Sequence, residues 1–215
     1  MSPAHDRPQT RGEEIANAIS HGLGLLLAVA SLPVLVLFAA RRGSAADIVG
    51  ASVFGATMIL LYGVSTLYHA LPPGRAKHWF NRLDHAAIYL FIAGSYMPYL
   101  LGVLRGAWGW TLFGIVWSAA AFGVAAKLFH RLRHPLWSTG LYVAMGWVAL
   151  IAAAPLVARL PAATLAWLVA GGLAYTLGAA VFHFDSRLRY GHFAWHLFVM
   201  AGTGCHVAAL LTVSA

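Results

Sequence analysis

The stretch GHFAWHLFVMAGTGCHVAALLTV, residues 191–213, combines a membrane-length apolar run with two histidines at its beginning. It contains no Asp, Glu, Lys or Arg, and a helix of roughly 20 apolar residues is long enough to cross the bilayer. His192 and His196 are four residues apart, so a helix places both imidazoles on one face, one turn apart. Such a pair commonly offers two nitrogens to zinc, but it also fits two histidines that face headgroups or water.

The composition of the chain is that of a membrane protein. Of its 215 residues, 60% are hydrophobic and 9% are charged, and the mean hydropathy is +0.74. Soluble globular domains carry about 25% charged residues, so a soluble domain with a buried core is excluded. The formal net charge is +8, but the basic residues lie between the apolar runs, where Lys and Arg set membrane orientation. We therefore expect membrane lipids, and no nucleic acid, as partners.

Seven apolar runs predict an all-α membrane protein with seven transmembrane helices. Each run is close to the ~20 residues that cross the hydrocarbon layer. The predicted helices cover residues 15–40, 46–69, 84–104, 108–129, 135–156, 162–182 and 192–213. Residues 1–13 are a polar N-terminal segment, and we expect 1–215 to form a single transmembrane domain. Pro98 should kink the third helix, because proline interrupts the helical hydrogen bonds.

The basic residues are distributed unequally between the two sides of the membrane. The N-terminal segment and the loops 2–3, 4–5 and 6–7 carry ten Lys or Arg, whereas the other loops and the C-terminal tail carry four. Positive charge favours the cytoplasm, so the N-terminus is predicted inside and the C-terminus outside. The chain is predicted to be a multi-pass protein of the cell inner (plasma) membrane.

This orientation brings further polar residues to the depth of the histidine pair. His69 ends the second predicted helix and Asp84 begins the third, both on the cytoplasmic side. Ser65 lies one turn before His69 on the same helical face. Three imidazoles that leave one position open are typical of catalytic zinc, and an aspartate beside them could hold or deprotonate a water molecule.

Each of these residues also has a purely structural interpretation. His69 could cap a helix end. Asp84 could be a carboxylate that the helix dipole favours at a helix start. Ser65 could bond to the backbone carbonyl four residues earlier, as membrane serines often do.

Two other groups of polar residues stand in apolar surroundings. Glu14, Asn17 and His21 share one face of the first helix, so they could line the same cavity or form a local polar cluster at the interface. His206 follows His192 by 14 residues, which is about 21 Å along a helix. It cannot share the same metal, and we interpret it as a packed or outer-leaflet histidine.

Four stretches carry a family resemblance: EEIANAISHG at 13–22, STLYHAL at 65–71, LDHAAIYLFIAGSYMPYL at 83–100 and HFAWHLFVMAG at 192–202. Through them the chain resembles the hemolysin III family, which belongs with the progestin and adipoQ receptors and, more distantly, with the alkaline ceramidases. The resemblance implies a Zn²⁺ site with His69, His192 and His196 as ligands. It also implies that Asp84 acts through the zinc-bound water and that Ser65 is a second polar group near it. Seven helices and a cytoplasmic N-terminus are implied as well.

The leading hypothesis for function is a zinc-dependent intramembrane hydrolase of the ceramidase type, acting in membrane homeostasis. Its substrate would be an amide or ester lipid that enters from the bilayer, with Asp84 as proton acceptor and Ser65 helping zinc to stabilise the oxyanion. A second hypothesis is a non-enzymatic homeostasis or sensing protein whose zinc is structural. Four protein ligands would indicate that role, whereas a retained water would leave catalysis possible. A third, suggested by the family name, is a cytolytic membrane protein.

The unequal distribution of basic residues predicts the orientation of the termini. A reporter enzyme that is active only outside the cytoplasm should be active when fused after Ala215, because the C-terminus is expected outside. Activity of the same reporter fused to the N-terminus, together with silence at the C-terminus, would reverse the topology.

Overall fold

The computed structural model describes residues 7–41, 44–129 and 135–213, and these residues form helices joined by short connections. Seven helical spans in this part of the chain are long and apolar enough to cross a membrane, which confirms the predicted all-α, seven-helix fold. The helices are α1 (Arg11–Arg41), α2 (Ala45–Ala70), α3 (Arg75–Met97), α4 (Ala107–Leu128), α5 (Pro135–Gly146), α6 (Ala153–Val157), α7 (Ala162–His183) and α8 (Gly191–Leu211). A π-helical segment, Pro98–Val103, extends α3, and a 3₁₀ segment, Val148–Ala152, joins α5 to α6 within the fifth span.

The third helix begins earlier than the sequence indicated. α3 begins at Arg75, nine residues before the predicted start at Asp84. Hydropathy marks only the apolar part of a helix, and the polar residues 75–83 continue it without a glycine or proline. Asp84 therefore lies about two and a half turns inside α3 and is buried, so its interpretation as a helix-start carboxylate was wrong. The other predicted boundaries lie within four residues of the observed ones.

Two spans change their helical geometry before they end. At Pro98, where a kink was predicted, the α-helix gives way to π-helix, and the amide of Leu104 donates to the carbonyl of Tyr99 at 2.8 Å. The predicted fifth helix is in fact interrupted after Gly146. There the Tyr96 hydroxyl contacts the carbonyl oxygens of Met145 and Gly146 at 2.8 and 2.7 Å. Polar backbone groups that a helix break releases need such partners inside a membrane.

The packing order of the helices places three helix ends beside one another. α1 packs against α2 and α8, α2 packs against α3, and α7 packs against α8. The start of α1, the end of α2 and the start of α8 therefore meet at one end of the bundle. The third span is the most deeply buried, and its polar residues Asp84 and Ser95 are buried in the protein interior.

Close approach between α2 and the π-helical segment depends on a glycine. A Cβ atom at Gly50 would lie 2.8 Å from the Cα of Pro98 and 3.0 Å from the carbonyl oxygen of Met97. We expect Gly50→Leu to separate the two segments and to destabilise the fold by about 1–3 kcal/mol, as overpacking does. The apparent melting temperature of the purified protein in detergent measures this effect.

The matched control is Gly114→Leu in α4. Gly114 is exposed, and a Cβ there would have no neighbour within 4 Å. An equal loss of stability in both variants would show that helix propensity or detergent effects, and not the contact with Pro98, cause it.

Candidate metal centre

Three histidines from two helices surround a common point at the end of the bundle where α1, α2 and α8 meet. His69, His192 and His196 each offer one ligand atom, and these atoms all lie within 4.8 Å of one another. The ring centroids are 5.1, 5.0 and 4.8 Å apart, so the three rings form a nearly equilateral triangle. His69 and His196 are buried and His192 is partly buried.

Carboxylates hold the outer nitrogens of two of these rings. His69 Nδ1 lies 2.8 Å from Glu14 Oε2, and His192 Nδ1 lies 2.7 Å from Asp185 Oδ2. An ionised carboxylate only accepts hydrogen bonds, so both Nδ1 atoms carry the proton. Both Nε2 atoms are therefore left with a lone pair, which is the state that binds metal.

The third ring reaches the same state through a serine. Ser20 Oγ lies 2.9 Å from the carbonyl oxygen of Asn17 and 3.0 Å from His196 Nδ1. With the serine proton on the Asn17 carbonyl, Ser20 accepts from His196 Nδ1, and His196 then also presents an Nε2 lone pair. His69 Nε2 is buried and has no hydrogen-bond partner among the described residues. Three converging lone pairs repel one another unless a cation lies between them, so the donor set fits a metal ion.

Glu14 ties α1 to the helices on either side of the site. Its second carboxylate oxygen lies 3.0 Å from Lys77 Nζ in α3. Lys77 also donates to the carbonyls of Tyr68 and Leu71 at the end of α2. The position of His69 is thus fixed by a chain of charged hydrogen bonds that crosses three helices.

Glu13 fixes the beginning of α8 in a similar way. Its carboxylate is buried and accepts from Arg7 Nη1 and the Thr10 amide, each at 2.9 Å. It also accepts from the Tyr190 amide at 2.8 Å. Tyr190 has a φ of 59°, the one positive φ of a non-glycine residue in the described chain, a conformation that is unfavourable for a side chain with Cβ.

The turn at Tyr190 brings Asp185 to His192. A Cβ atom at Gly191 would lie 2.8 Å from the Cα of Asp185, so only glycine permits the chain to fold back this closely. The carboxylate of Asp185 thereby contacts a histidine seven residues later. In a continuous helix the same two residues would lie about 10.5 Å apart along the axis, too far for a hydrogen bond.

Ser65 and Asp84 lie beside the histidine triangle. Ser65 is fully buried, and its Oγ lies 2.7 Å from His21 Nδ1. Asp84 and Ser65 both line one cavity beside these histidines. In the hydrogen bond between His21 and Ser65 either group can be the donor, depending on which nitrogen of His21 carries the proton. The His21 ring stacks on that of His196, with centroids 3.5 Å apart and an interplanar angle of 8°.

All five residues singled out from the sequence therefore lie at one end of the bundle. The group that could hold a metal ion consists of the three histidines, and Asp84 and Ser65 line the cavity next to it. Two of the three α1 residues reach this site: Glu14 contacts His69 and His21 contacts Ser65. The side chain of Asn17 bonds to Gln9 instead.

Sequence reasoning missed several residues that support the site. Ser20 could have been found, because it follows Asn17 by three residues on the same helical face. Glu13 could not be distinguished from Glu14 by sequence. Asp185 becomes recognisable only in the structure, since its contact depends on the turn before α8.

An apolar cavity of about 360 Å³ leads away from this end of the bundle. Ser65, Asp84 and His196 line its polar end, and side chains such as Leu104 and Leu156 line it towards the opposite side. A polar, metal-binding end joined to a long apolar space is suited to a molecule with one polar group and a hydrocarbon chain.

Comparison with known proteins adds to this geometry. Residues 9–207 match the family model described as "Haemolysin-III related". The chain is 46% identical over 191 residues to "Hemolysin-3 homolog" of Bacillus subtilis, with 89% of each chain covered. It is 43% identical to "Hemolysin-3" of Bacillus cereus, covering 89% of this chain and 87% of that one. The human "Monocyte to macrophage differentiation factor" is 28% identical, covering 74% of this chain and 67% of its own length. The resemblance inferred from the sequence motifs is confirmed.

The histidine triangle predicts that purified protein carries about one metal ion per chain. His192→Ala combined with His196→Ala should remove most of this metal, because two of the three lone pairs are lost. Asp185→Ala leaves the ligands in place but should weaken metal binding by roughly tenfold to a hundredfold, as loss of an orienting partner does. Metal content by mass spectrometry, with chelator competition for the affinity, measures both effects.

The matched control is His78→Ala, at an exposed histidine in the first turn of α3. It should leave the metal content unchanged. Full metal retention in the His192→Ala, His196→Ala double variant would exclude the assigned site.

Proposed function

Because the chain belongs to the hemolysin III family of membrane proteins, which is related to the progestin and adipoQ receptors, we propose that it is a zinc-dependent hydrolase of membrane lipids. The substrate is an amide or ester whose acyl chain occupies the apolar cavity. The observation that carries this proposal is the position of three metal-ready imidazoles at the polar end of that cavity, beside a buried carboxylate and a serine hydroxyl.

Zinc suits this donor set better than other common metals. Neutral imidazole is a preferred zinc ligand, and three protein ligands with one open position are typical of catalytic rather than structural zinc. His69, His192 and His196 would hold the ion. Bound there, it supplies a Lewis acid that polarises a carbonyl group and makes water a stronger nucleophile.

Asp84 is the proton acceptor in this proposal. Its carboxylate is buried, lines the cavity and lies near His192. A carboxylate in this position can take a proton from a water molecule that attacks the lipid carbonyl. It can then return the proton to the amine or alcohol that leaves.

Ser65 contributes the hydrogen-bond donor. His21 Nδ1 lies 2.7 Å from its oxygen. With the proton on His21 Nδ1, His21 donates to Ser65, and the Ser65 proton is free for Asp84 or for a substrate oxygen. Once Asp84 carries a proton, the hydroxyl of Ser65 can turn to the oxyanion and stabilise it. His21 thus orients Ser65 and, by stacking on His196, also positions a metal ligand.

The cavity indicates the kind of substrate. Its volume of about 360 Å³ falls within the range of small-molecule sites, and its walls are mainly aliphatic and aromatic. A single acyl chain fits this description, and the reaction would release a fatty acid. Such an activity, in the plasma membrane, would serve membrane homeostasis.

A non-enzymatic sensing role is the alternative that the same site permits. A structural zinc site would be closed by a fourth protein ligand. The metal-binding group found in the described residues has three members, which favours the hydrolase. The cytolytic alternative has no support beyond the names of the two bacterial relatives.

We expect Asp84→Asn to keep bound zinc, because imidazoles make the metal bonds, but to lose turnover by roughly a hundredfold or more, as expected for a missing general base. Ser65→Ala should lose less, because zinc still polarises the carbonyl. Release of fatty acid from a panel of ceramide-like and other acyl lipids in liposomes measures turnover.

Asp47→Asn is the matched control, since Asp47 is a buried carboxylate at the opposite end of α2, paired with Arg105 at 3.3 Å. It should not change turnover per folded, zinc-loaded protein. Zinc-loaded wild type that releases no more fatty acid than Asp84→Asn across the panel would favour sensing. Loss of zinc in Asp84→Asn would make the aspartate a structural support of the metal.

A further inference from the structure

The loop that joins α7 to α8, residues 185–190, lies where the histidine triangle meets solvent. The side chain of His69 is fully buried, and His196 is buried as well. The side chains of His192 and of its partner Asp185 are 14% and 18% exposed. Of the three candidate ligands, His192 is therefore the one that an ion from solution reaches first.

The other approaches to the triangle do not suit a metal ion. Beyond its polar end, the cavity has mainly aliphatic and aromatic walls. A divalent ion moves through such surroundings at a high free-energy cost, because nothing replaces its hydration shell. Glu14 occupies the side next to α1, where its carboxylate is held by His69 Nδ1 and Lys77 Nζ. A metal ion therefore enters and leaves past His192.

Two residues near the start of α1 hold the loop 185–190 in place. The Tyr190 amide donates to Glu13 Oε1 at 2.8 Å, and Arg7 Nη2 donates to the carbonyl of Leu188 at 3.5 Å. Arg7 also bonds to both carboxylate oxygens of Glu13. It thus orients the acceptor for the Tyr190 amide and compensates the buried charge of Glu13.

The backbone of this loop is strained next to the point where it is held. Tyr190 has a φ of 59°, a left-handed conformation that is unfavourable for a residue with a Cβ atom. Gly191 follows it and is the residue whose backbone can change conformation most freely. The bond from Tyr190 to Glu13 therefore works against a tendency of the loop to relax.

We infer that residues 185–190 form a gate for the metal ion and that Arg7 and Glu13 are its latch. In the closed state Asp185 fixes His192 at 2.7 Å, and the ion is retained. Release of the Tyr190 amide from Glu13 lets the loop turn away with Asp185, which frees His192 and opens a path for the ion. The gate concerns metal exchange and does not depend on whether the site hydrolyses lipids.

A gate and a mere support of the ligands have different effects on metal binding. When the gate opens only rarely, a weaker latch raises the open fraction, so that metal binding and metal release accelerate by the same factor. The dissociation constant stays constant as long as the closed form predominates. Loss of a support accelerates release alone, and the dissociation constant rises with it.

Arg7→Ala weakens the latch in zinc-loaded protein in nanodiscs. The Arg7 side chain is 39% exposed, so the variant should fold. Transfer of zinc to excess fluorescent chelator measures release, and chelator competition measures the dissociation constant. We expect release and binding to accelerate roughly tenfold, as for loss of a charged hydrogen bond, with the dissociation constant within about twofold of wild type.

Arg7→Lys keeps the charge but not the paired contact with the carboxylate, so it should accelerate exchange in the same direction by a smaller factor. The matched control is Arg11→Ala, at an exposed arginine in the first turn of α1, which should behave like wild type. Hydrogen exchange at the Tyr190 amide, measured by mass spectrometry, reports loop opening and should accelerate together with zinc release.

A rise in only one of these two rates, or in neither, overturns the gate and leaves the proposed function intact. Faster zinc release with an equal loss of affinity also overturns it, because Arg7 and Glu13 then only support the ligands. Wild type that carries no zinc would overturn the gate, the metal centre and the proposed hydrolase together.

Discussion

The hydrogen bonds that fix the Nδ1 atoms of His69, His192 and His196 determine how the rest of the site is arranged. Two of them end on carboxylates and one on a serine, and their partners come from outside the helices that carry the histidines. α1 supplies Glu14 and Ser20, which requires α1 to pack against both α2 and α8. Buried ionisable groups are unfavourable in a membrane unless they pair with one another, so the metal-binding end and the packing of α1 depend on each other.

The same arrangement produces a cavity that is polar at one end and apolar over most of its length. The breaks in the third and fifth spans both line this cavity. Irregular backbone at membrane depth is tolerated where it is buried in protein or lines a cavity, and Tyr96 provides the hydrogen bonds that the fifth span lacks after Gly146. Departures from α-helix thus contribute to the cavity, and Tyr96 pairs with two of the carbonyls in the fifth span.

Much of the fold and part of the site could be predicted from the sequence, for identifiable reasons. Hydropathy found the seven spans because each is a continuous apolar run, and i, i+4 spacing paired His192 with His196. The start of α3 was misplaced because its first turns are polar. Asp185 was not found because its contact with His192 depends on a left-handed residue, Tyr190, and on tertiary hydrogen bonds to α1.

The resemblance to the hemolysin III family supplied what spacing alone could not, namely that residues from three separate helices meet. The structure supports this meeting through distances and adds the reason for it. Each imidazole has a hydrogen-bond partner at Nδ1, and a proton on that nitrogen leaves the Nε2 lone pair for a metal ion. This orientation is the main argument for metal binding by the histidines.

The most direct measurement of this central claim is zinc K-edge X-ray absorption of the purified, native-loaded protein. We expect three imidazole nitrogens and one further light atom from solvent, all at about 2.0–2.1 Å. A fourth protein ligand would contradict an open catalytic position. Absence of imidazole scattering, or of zinc itself, would contradict the metal centre.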